Sequence, residues 1–470
     1  MTKKVFSLLC ILSSTLLCYA QNIEGKWQGE LNVYGTQLPL IFNFSIVDSN
    51  LKASFDSPLQ QAYDVPIDQI TFKNRKLILK ISTIGASYTA TLAENDSTFL
   101  GDFEQNGLKF PLELIQSSSI FPLPTKPQEP QEPFPYLTED VVFENTQQNI
   151  RLAGTLSFPK GREKHPAVIL ISGSGPQDRN QELFNHKPFL VISDYLVRNG
   201  IAVLRYDDRG VAESGGEFKG STTADFATDT RAAIAYLKSR KEIDANKIGL
   251  VGHSEGGIIA GMLAAQTREV GFIILLASPA KKGAQVLLKQ QEIIGKAAGL
   301  SENYIDNNYR INAGAYEIIA QEKDTLILKD KLKTYFEKEL KAFPDWNLQR
   351  ESGLSDEKFI STLVETYTDN WMRFFMNYEP YKDLEKIRIP ILALNGDKDL
   401  QVDIEQNFYT TKAILEKQSV KNSKAVLLEG LNHLFQESET GLPMEYGQIE
   451  QTFSTEALEV IKDWILKVVE

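Results

Sequence analysis

Two patterns of hydrophobic spacing divide the chain. From about Ile23 to Ile115 apolar residues alternate with polar ones, as at Leu38, Leu40, Phe42, Phe44 and Ile46 and again at Leu77, Leu79 and Ile81. Period two marks strands with one buried face. Polar clusters interrupt them at Asp48-Ser49-Asn50, Lys73-Asn74, Asn95-Asp96 and Gln105-Asn106-Gly107. About eight such strands, with no helical period between them, predict a small all-β domain over 21–115, an up-and-down barrel or a sandwich. Trp27 and Tyr34 are expected to plug its core.

From Val141 onward the apolar positions come in short continuous runs: Val168 to Ile171, Ile201 to Leu204, Ile248 to Val251, Phe272 to Leu276, Ile391 to Leu394 and Ala425 to Leu428. With helical periods between them, these runs predict a mostly parallel sheet buried on both faces, opened by a hairpin of Val141 to Glu144 and Ile150 to Phe158. One intervening helix carries Phe226, Thr230, Ala233 and Leu237 on one face behind a Thr222-x-x-Asp225 capping signature. A last helix, Thr455 to Val469, is expected to bury Leu458, Ile461, Trp464, Ile465 and Val468. Between Ser278 and Ile389 a mostly helical stretch stands where one crossover helix would suffice. It predicts a cap inserted at about 279–388 in the domain 141–470, over the C-terminal edge of the sheet, where ligands bind in such folds. Residues 116–140, with Pro122, Pro124, Pro127, Pro130, Pro133 and Pro135, read as a linker, either a semi-rigid spacer or a segment docked on the second domain.

Composition narrows the function classes. With 470 residues, 42% hydrophobic and 24% charged, the chain has room for more than one core. A formal charge of -12 argues against nucleic acid and against an anionic membrane surface as partners. Residues 1–20 read as a secretory signal peptide: Lys3 and Lys4, an apolar stretch from Val5 to Leu17, then Cys18-Tyr19-Ala20 before Gln21. The protein is therefore expected to be exported, to the periplasm. That stretch is too short to span a bilayer, and no later run is long enough. Lipid anchoring would use Cys18, but Leu17 is bulky where a small residue is usual. Cys10 and Cys18 are the only cysteines, so the mature chain is expected to have no disulfide, thiolate metal site or cysteine nucleophile. Four histidines without ligand spacing leave no metal or other cofactor expected.

Chemistry concentrates at strand ends. The run Lys-Ile-Gly-Leu-Val-Gly-His-Ser-Glu-Gly-Gly, from Lys247 to Gly257, takes a strand over Ser254 into an apolar helix. A serine at the tip of such a turn exposes its hydroxyl, and the helix N-terminus behind it faces any oxyanion formed on attack. Gly-x-Ser-x-Gly alone is weak, but an acid and a histidine follow in the order this architecture requires. Asp399, in the loop after Ile391 to Leu394, is read as the acid that orients an imidazole, with Asp397 as the alternative. His433, in the loop after the last strand, is read as the base. His253 is expected to pack beside the serine, His186 to stand at the pocket rim, and His165 to be exposed. The Gly-rich loop Ser172-Gly173-Ser174-Gly175-Pro176 follows another strand. The backbone N–H groups of Glu255 and Ser174, or of Gly173 in place of Ser174, would form an oxyanion hole. The Glu255 side chain could repel anionic substrates. Arg205 to Gly210 is expected to form an ion-pair network, and Trp371, Phe374, Phe375 and Tyr378 are candidate pocket walls.

Together these segments resemble the α/β-hydrolase superfamily. They are similar to a bacterial short-chain esterase group with an N-terminal β-domain, through Gly173 to Arg179, Tyr206 to Gly210, the Gly-His-Ser-Glu-Gly elbow of Gly252 to Gly256, Asn395 to Val402 and Asn432 to Phe435. The resemblance implies an α/β-hydrolase fold with a helical cap and a carboxylesterase acting on a small ester. It extends more distantly to dienelactone hydrolases, serine aminopeptidases and acyl-CoA thioesterases. Ala212 departs from it, standing where related chains commonly have glycine. The alternatives are a serine peptidase of the aminopeptidase type, for which no acidic cluster can be assigned, and an inactive hydrolase-fold binding protein. An acyl-CoA enzyme is disfavoured because an exported protein should rarely meet its substrate.

Overall fold

The computed structural model describes residues 23–470 apart from 34–35, 49, 61, 106–107, 118–124, 162–163 and 347–354. The expected signal segment with both cysteines, Tyr34, the Asn106-Gly107 turn, Pro122 and Pro124 lie outside the described residues.

The alternating region forms nine strands: β1 (Gly25–Val33), β2 (Thr36–Val47), β3 (Asn50–Ser57), β4 (Ala62–Pro66), β5 (Gln69–Lys73), β6 (Lys76–Ile81), β7 (Ala86–Leu92), β8 (Thr98–Gln105) and β9 (Leu108–Gln116). They make one antiparallel sheet in the order β4-β3-β2-β1-β9-β8-β7-β6-β5. Phe42 on β2 and Tyr88 on β7 lie with ring centroids 5.6 Å apart. In a flat sheet their strands would stand roughly 19 Å apart, so the sheet curls on itself as an open barrel. Trp27, Phe42, Leu79, Tyr88 and Phe99 fill it. Ile46 departs from the alternation: it is 53% exposed.

The second region forms β10 (Leu137–Asn145), β11 (Ile150–Phe158), β12 (His165–Ile171), β13 (Ala202–Tyr206), β14 (Ile243–His253), β15 (Phe272–Leu276), β16 (Ile391–Gly396) and β17 (Lys424–Leu428). Their order is β10-β11-β13-β12-β14-β15-β16-β17, antiparallel at β10 and β11 and parallel beyond. This is the α/β-hydrolase fold. Helices α1 (Pro188–Arg198), α2 (Thr223–Ser239) and α3 (Glu255–Gln266) follow β12, β13 and β14, while α10 (Phe408–Gln418) and α11 (Thr455–Val469) follow β16 and β17. Separate apolar clusters cover the two sheet faces, which is why these strands are continuously apolar. The expected capping box closes the start of α2: Asp225 N–H donates to Thr222, and the Asp225 carboxylate accepts from Thr222 N–H.

Between β15 and β16 stand α4 (Gly283–Ala297), α5 (Glu302–Gln321), α6 (Thr325–Ala342), α7 (Asp356–Thr368), α8 (Asn370–Asn377) and α9 (Pro380–Leu384). Most of these helices bury a core of their own around Ile311, Leu332, Phe336 and Tyr367. The described part of the Pro-rich segment is docked, not free. Lys126 Nζ donates to the carbonyls of Gly447 and Ile449 at 3.2 and 2.7 Å, Gln128 bonds the backbone at Thr452 and Phe453, and Tyr136 Oη donates to Asp194. The barrel meets the second region where Asn185 Nδ2 donates to Pro58 O at 2.8 Å. No helix among the described residues is long and apolar enough to cross a membrane.

Candidate active site

Strand β14 ends at His253 and α3 begins at Glu255, so one residue makes the whole turn. Ser254 takes φ 52° and ψ -117°, a sparsely populated conformation costing on the order of 1–3 kcal/mol. Close crossing of strand and helix holds it there. A Cβ on Gly252 would fall 2.1 Å from Gly256 O, and one on Gly256 would fall 2.1 Å from Ile171 O. Glycine is required at both positions, and Ser254 is left at the head of the apolar helix α3.

Asp399 lies in the loop after β16 and is 4% exposed. Four donors converge on its carboxylate: the N–H groups of Gln401 and Val402 on Oδ1 at 2.8 and 2.9 Å, and Asn395 Nδ2 and His433 Nδ1 on Oδ2 at 3.1 and 2.8 Å. A carboxylate only accepts, so His433 carries its proton on Nδ1 and keeps Nε2 as an acceptor. Asp397, the alternative acid, accepts from Gly430 N–H at 2.7 Å and ties two loops together instead.

The neighbours of Ser254 are buried on both sides. His253 Nε2 donates to His433 O at 2.9 Å, its Nδ1 accepts from Gln181 Nε2 at 3.0 Å, and Gln181 Oε1 in turn accepts from Gly173 N–H at 2.9 Å. Burial lowers the His253 pKa to about 3, so the ring stays neutral. Glu255 is 2% exposed, and its carboxylate accepts from Ser174, Thr223 and Trp371. Its side chain is therefore sequestered and not placed to repel a substrate. His186 also departs from expectation. It is 1% exposed, buried and not at the rim, and bonds Thr452 and Tyr446 O at 2.9 Å each. His165 is half-buried. Gln181 has no sequence signature, and only its place in this chain of bonds reveals it.

The segment after β13 forms the expected ionic network. Asp207 takes two bonds from the Arg179 guanidinium and a third from its backbone N–H, and Arg209 pairs with Asp229 at 2.6 Å. Ala212, the departure from the related chains, takes φ 45°, the left-handed region that favours glycine.

Ser254 and His433 open into a cavity of about 340 Å³. Ser174, Gln177, Phe184, Pro443 and Tyr446 line it, and Val286, Leu287, Gln290, Trp371 and Phe375, from α4 and α8, form the part termed the roof. Among the described residues that line it, none is Asp, Glu, Lys or Arg. Of the four aromatic candidates on α8 and just after it, Trp371 and Phe375 stack at 5.0 Å and face the cavity. Phe374 and Tyr378 turn the other way and pack on the sheet core. A larger cleft of about 890 Å³ beside α6 and α7 has no histidine among the described residues that line it. No group of three or more His, Cys, Asp or Glu among the described residues could hold a metal ion.

The X-Pro dipeptidyl-peptidase (S15 family) model matches residues 148–433. The esterase EstD of Thermotoga maritima is 25% identical over 320 residues, covering 67% of this chain. The match spans 66% of that relative, just under two thirds of its length. An uncharacterized 31.7 kDa protein from the traX-finO intergenic region of Escherichia coli is 25% identical over 250 residues, 53% of this chain and 77% of the relative. Among solved structures, the Pyrococcus furiosus esterase Pf2001 aligns at 17% identity and TM-score 0.43, covering 74% of this chain and 98% of that one.

Proposed function

The chain belongs to the X-Pro dipeptidyl-peptidase (S15) family, and on that premise we propose that it is a serine hydrolase cleaving short-chain carboxylic esters through an acyl-serine intermediate. Ser254 Oγ attacks the ester carbonyl while His433 Nε2 takes its proton. Asp399 holds the imidazole in the tautomer that makes Nε2 the acceptor and stabilises the imidazolium that forms. The N–H groups of Glu255 and Ser174 bind the oxyanion. Ser174 is preferred over Gly173 because the Gly173 amide already donates to Gln181. The imidazolium then protonates the leaving alcohol, and water activated by the same histidine releases the acid.

The observation that carries the reading is that the described residues around Ser254 and His433 form an uncharged wall. A dipeptidyl-peptidase must hold a free α-ammonium group, and a buried ammonium needs a counter-charge. Glu255, beside Ser254 in the chain, is already taken by three donors, and Asp399 by four. A neutral acyl ester meets no such cost, and the similarity to an esterase supports the same choice. The peptidase reading keeps its place through the family match. Initial rates on nitrophenyl esters of increasing acyl length and on an X-Pro nitroanilide, for the parent and Ser254→Ala, separate the two. The proposal expects Ser254-dependent ester turnover greatest from acetyl to butyryl; faster nitroanilide cleavage would replace it with the peptidase. Export to the periplasm belongs to the proposal and is supported by the composition of residues 1–20.

A further inference from the structure

Glu255 holds a buried carboxylate that the proposed chemistry uses only through its backbone. Three elements donate to it: Thr223 at the start of α2 and Trp371 Nε1 on α8 bond Oε1 at 2.6 and 2.8 Å, and Ser174 Oγ bonds Oε2 at 2.7 Å. Burying a carboxylate costs several kcal/mol unless donors replace its water. Burial accordingly raises the Glu255 pKa, against the pull of these three bonds.

What the carboxylate connects gives the arrangement its meaning. Trp371 belongs to the cavity roof, stacked on Phe375, which in turn packs so closely on α4 that a Cβ on Gly283 would fall 2.4 Å from it. Ser174 also lines the cavity, in the loop after β12. With the roof seated, the indole N–H and Thr223 hold Oε1, which leaves Oε2 aimed at Ser174 Oγ.

We propose that Glu255 is a positioning residue that couples the seating of the helical cap to the Ser174 segment of the oxyanion hole. A substrate that lifts Trp371 would release the carboxylate and loosen the Ser174 amide, so the cap would influence turnover as well as binding. The inference rests on the serine-hydrolase reading above.

The test uses two conservative changes on separate elements. W371F keeps an aromatic ring and removes the indole donor, while S174A keeps the amide and removes the hydroxyl. Each should lower kcat on nitrophenyl butyrate about tenfold, a fraction of the loss from deleting an oxyanion donor, with KM within about twofold. The double variant should fall no further than about tenfold, because both changes act through one carboxylate. A double variant that loses about a hundredfold would overturn the coupling, as would singles with unchanged kcat or a loss confined to KM. Fluorophosphonate labelling of the parent separates the causes of failure. An unlabelled, inactive parent overturns the serine-hydrolase reading and the coupling with it, whereas a labelled parent with additive variants overturns the coupling alone.

Discussion

The floor and the roof of the cavity are built differently. Ser254, Asp399 and His433 stand just past the ends of β14, β16 and β17, in turns fixed by glycine contacts and by carboxylate and imidazole bonds. Val286, Leu287, Gln290, Trp371 and Phe375 come from helices of the insertion, most of which pack on a core of their own. A side chain on the floor is bound by its neighbours to one geometry. One on the roof that, like Phe375, packs within the inserted helices can change size without disturbing the sheet. Chemistry is thus expected to depend on the floor, and choice of substrate on the roof, the two being linked through the bond from Trp371 to the Glu255 carboxylate.

The comparison is tested most severely at Asp399. D399N should lower kcat by about 10³–10⁴-fold with little change in KM, as loss of the correct imidazole tautomer does. Steady-state kinetics check this, and a loss below tenfold would detach Asp399 from the chemistry.

Acid should also affect the floor. The folded pKa of His253, about 3, lies below its usual 6.5. The unfolded chain binds the proton first, so the stability from neutral His253 is complete above pH 6.5 and declines as pH falls toward 3. Urea denaturation should show a contribution on the order of 2 kcal/mol lost between pH 6.5 and 4.5 that is missing in H253Q.

On the roof, F375A should leave turnover of the acetyl ester within about threefold and improve longer acyl chains by up to about tenfold, the scale of one or two methylenes in an apolar pocket. Equal losses at every chain length would place Phe375 with the floor.

Away from both, A212G should raise stability by about 0.5 kcal/mol, because the left-handed φ of 45° strains alanine while glycine costs more entropy on folding. A thermal melt reads this, and a lower Tm would mean the loop tolerates alanine without strain.

Legibility followed the same division. The parallel sheet was readable because continuous apolar runs have one physical explanation, burial on both faces, and the order of serine, acid and histidine followed from which runs their loops succeed. The barrel was readable from alternation except at β4, whose Ala62 to Pro66 buries neither face and so shows no period. Which α8 aromatics face the cavity was not legible: Trp371 with Phe375 and Phe374 with Tyr378 are both spaced for stacking, and only the packing of the helix on the sheet selects between them. Gln181 and the Glu255 carboxylate were invisible for another reason. Their roles are bonds between segments distant in sequence, which no local pattern records.

The most direct test of the account is rapid quenching of the protein with nitrophenyl butyrate, followed by peptide mapping. A burst of nitrophenol and a butyryl group on the peptide carrying Ser254 are expected, both absent from Ser254→Ala. Turnover that persists in Ser254→Ala, or an acyl group found on another residue, would contradict it.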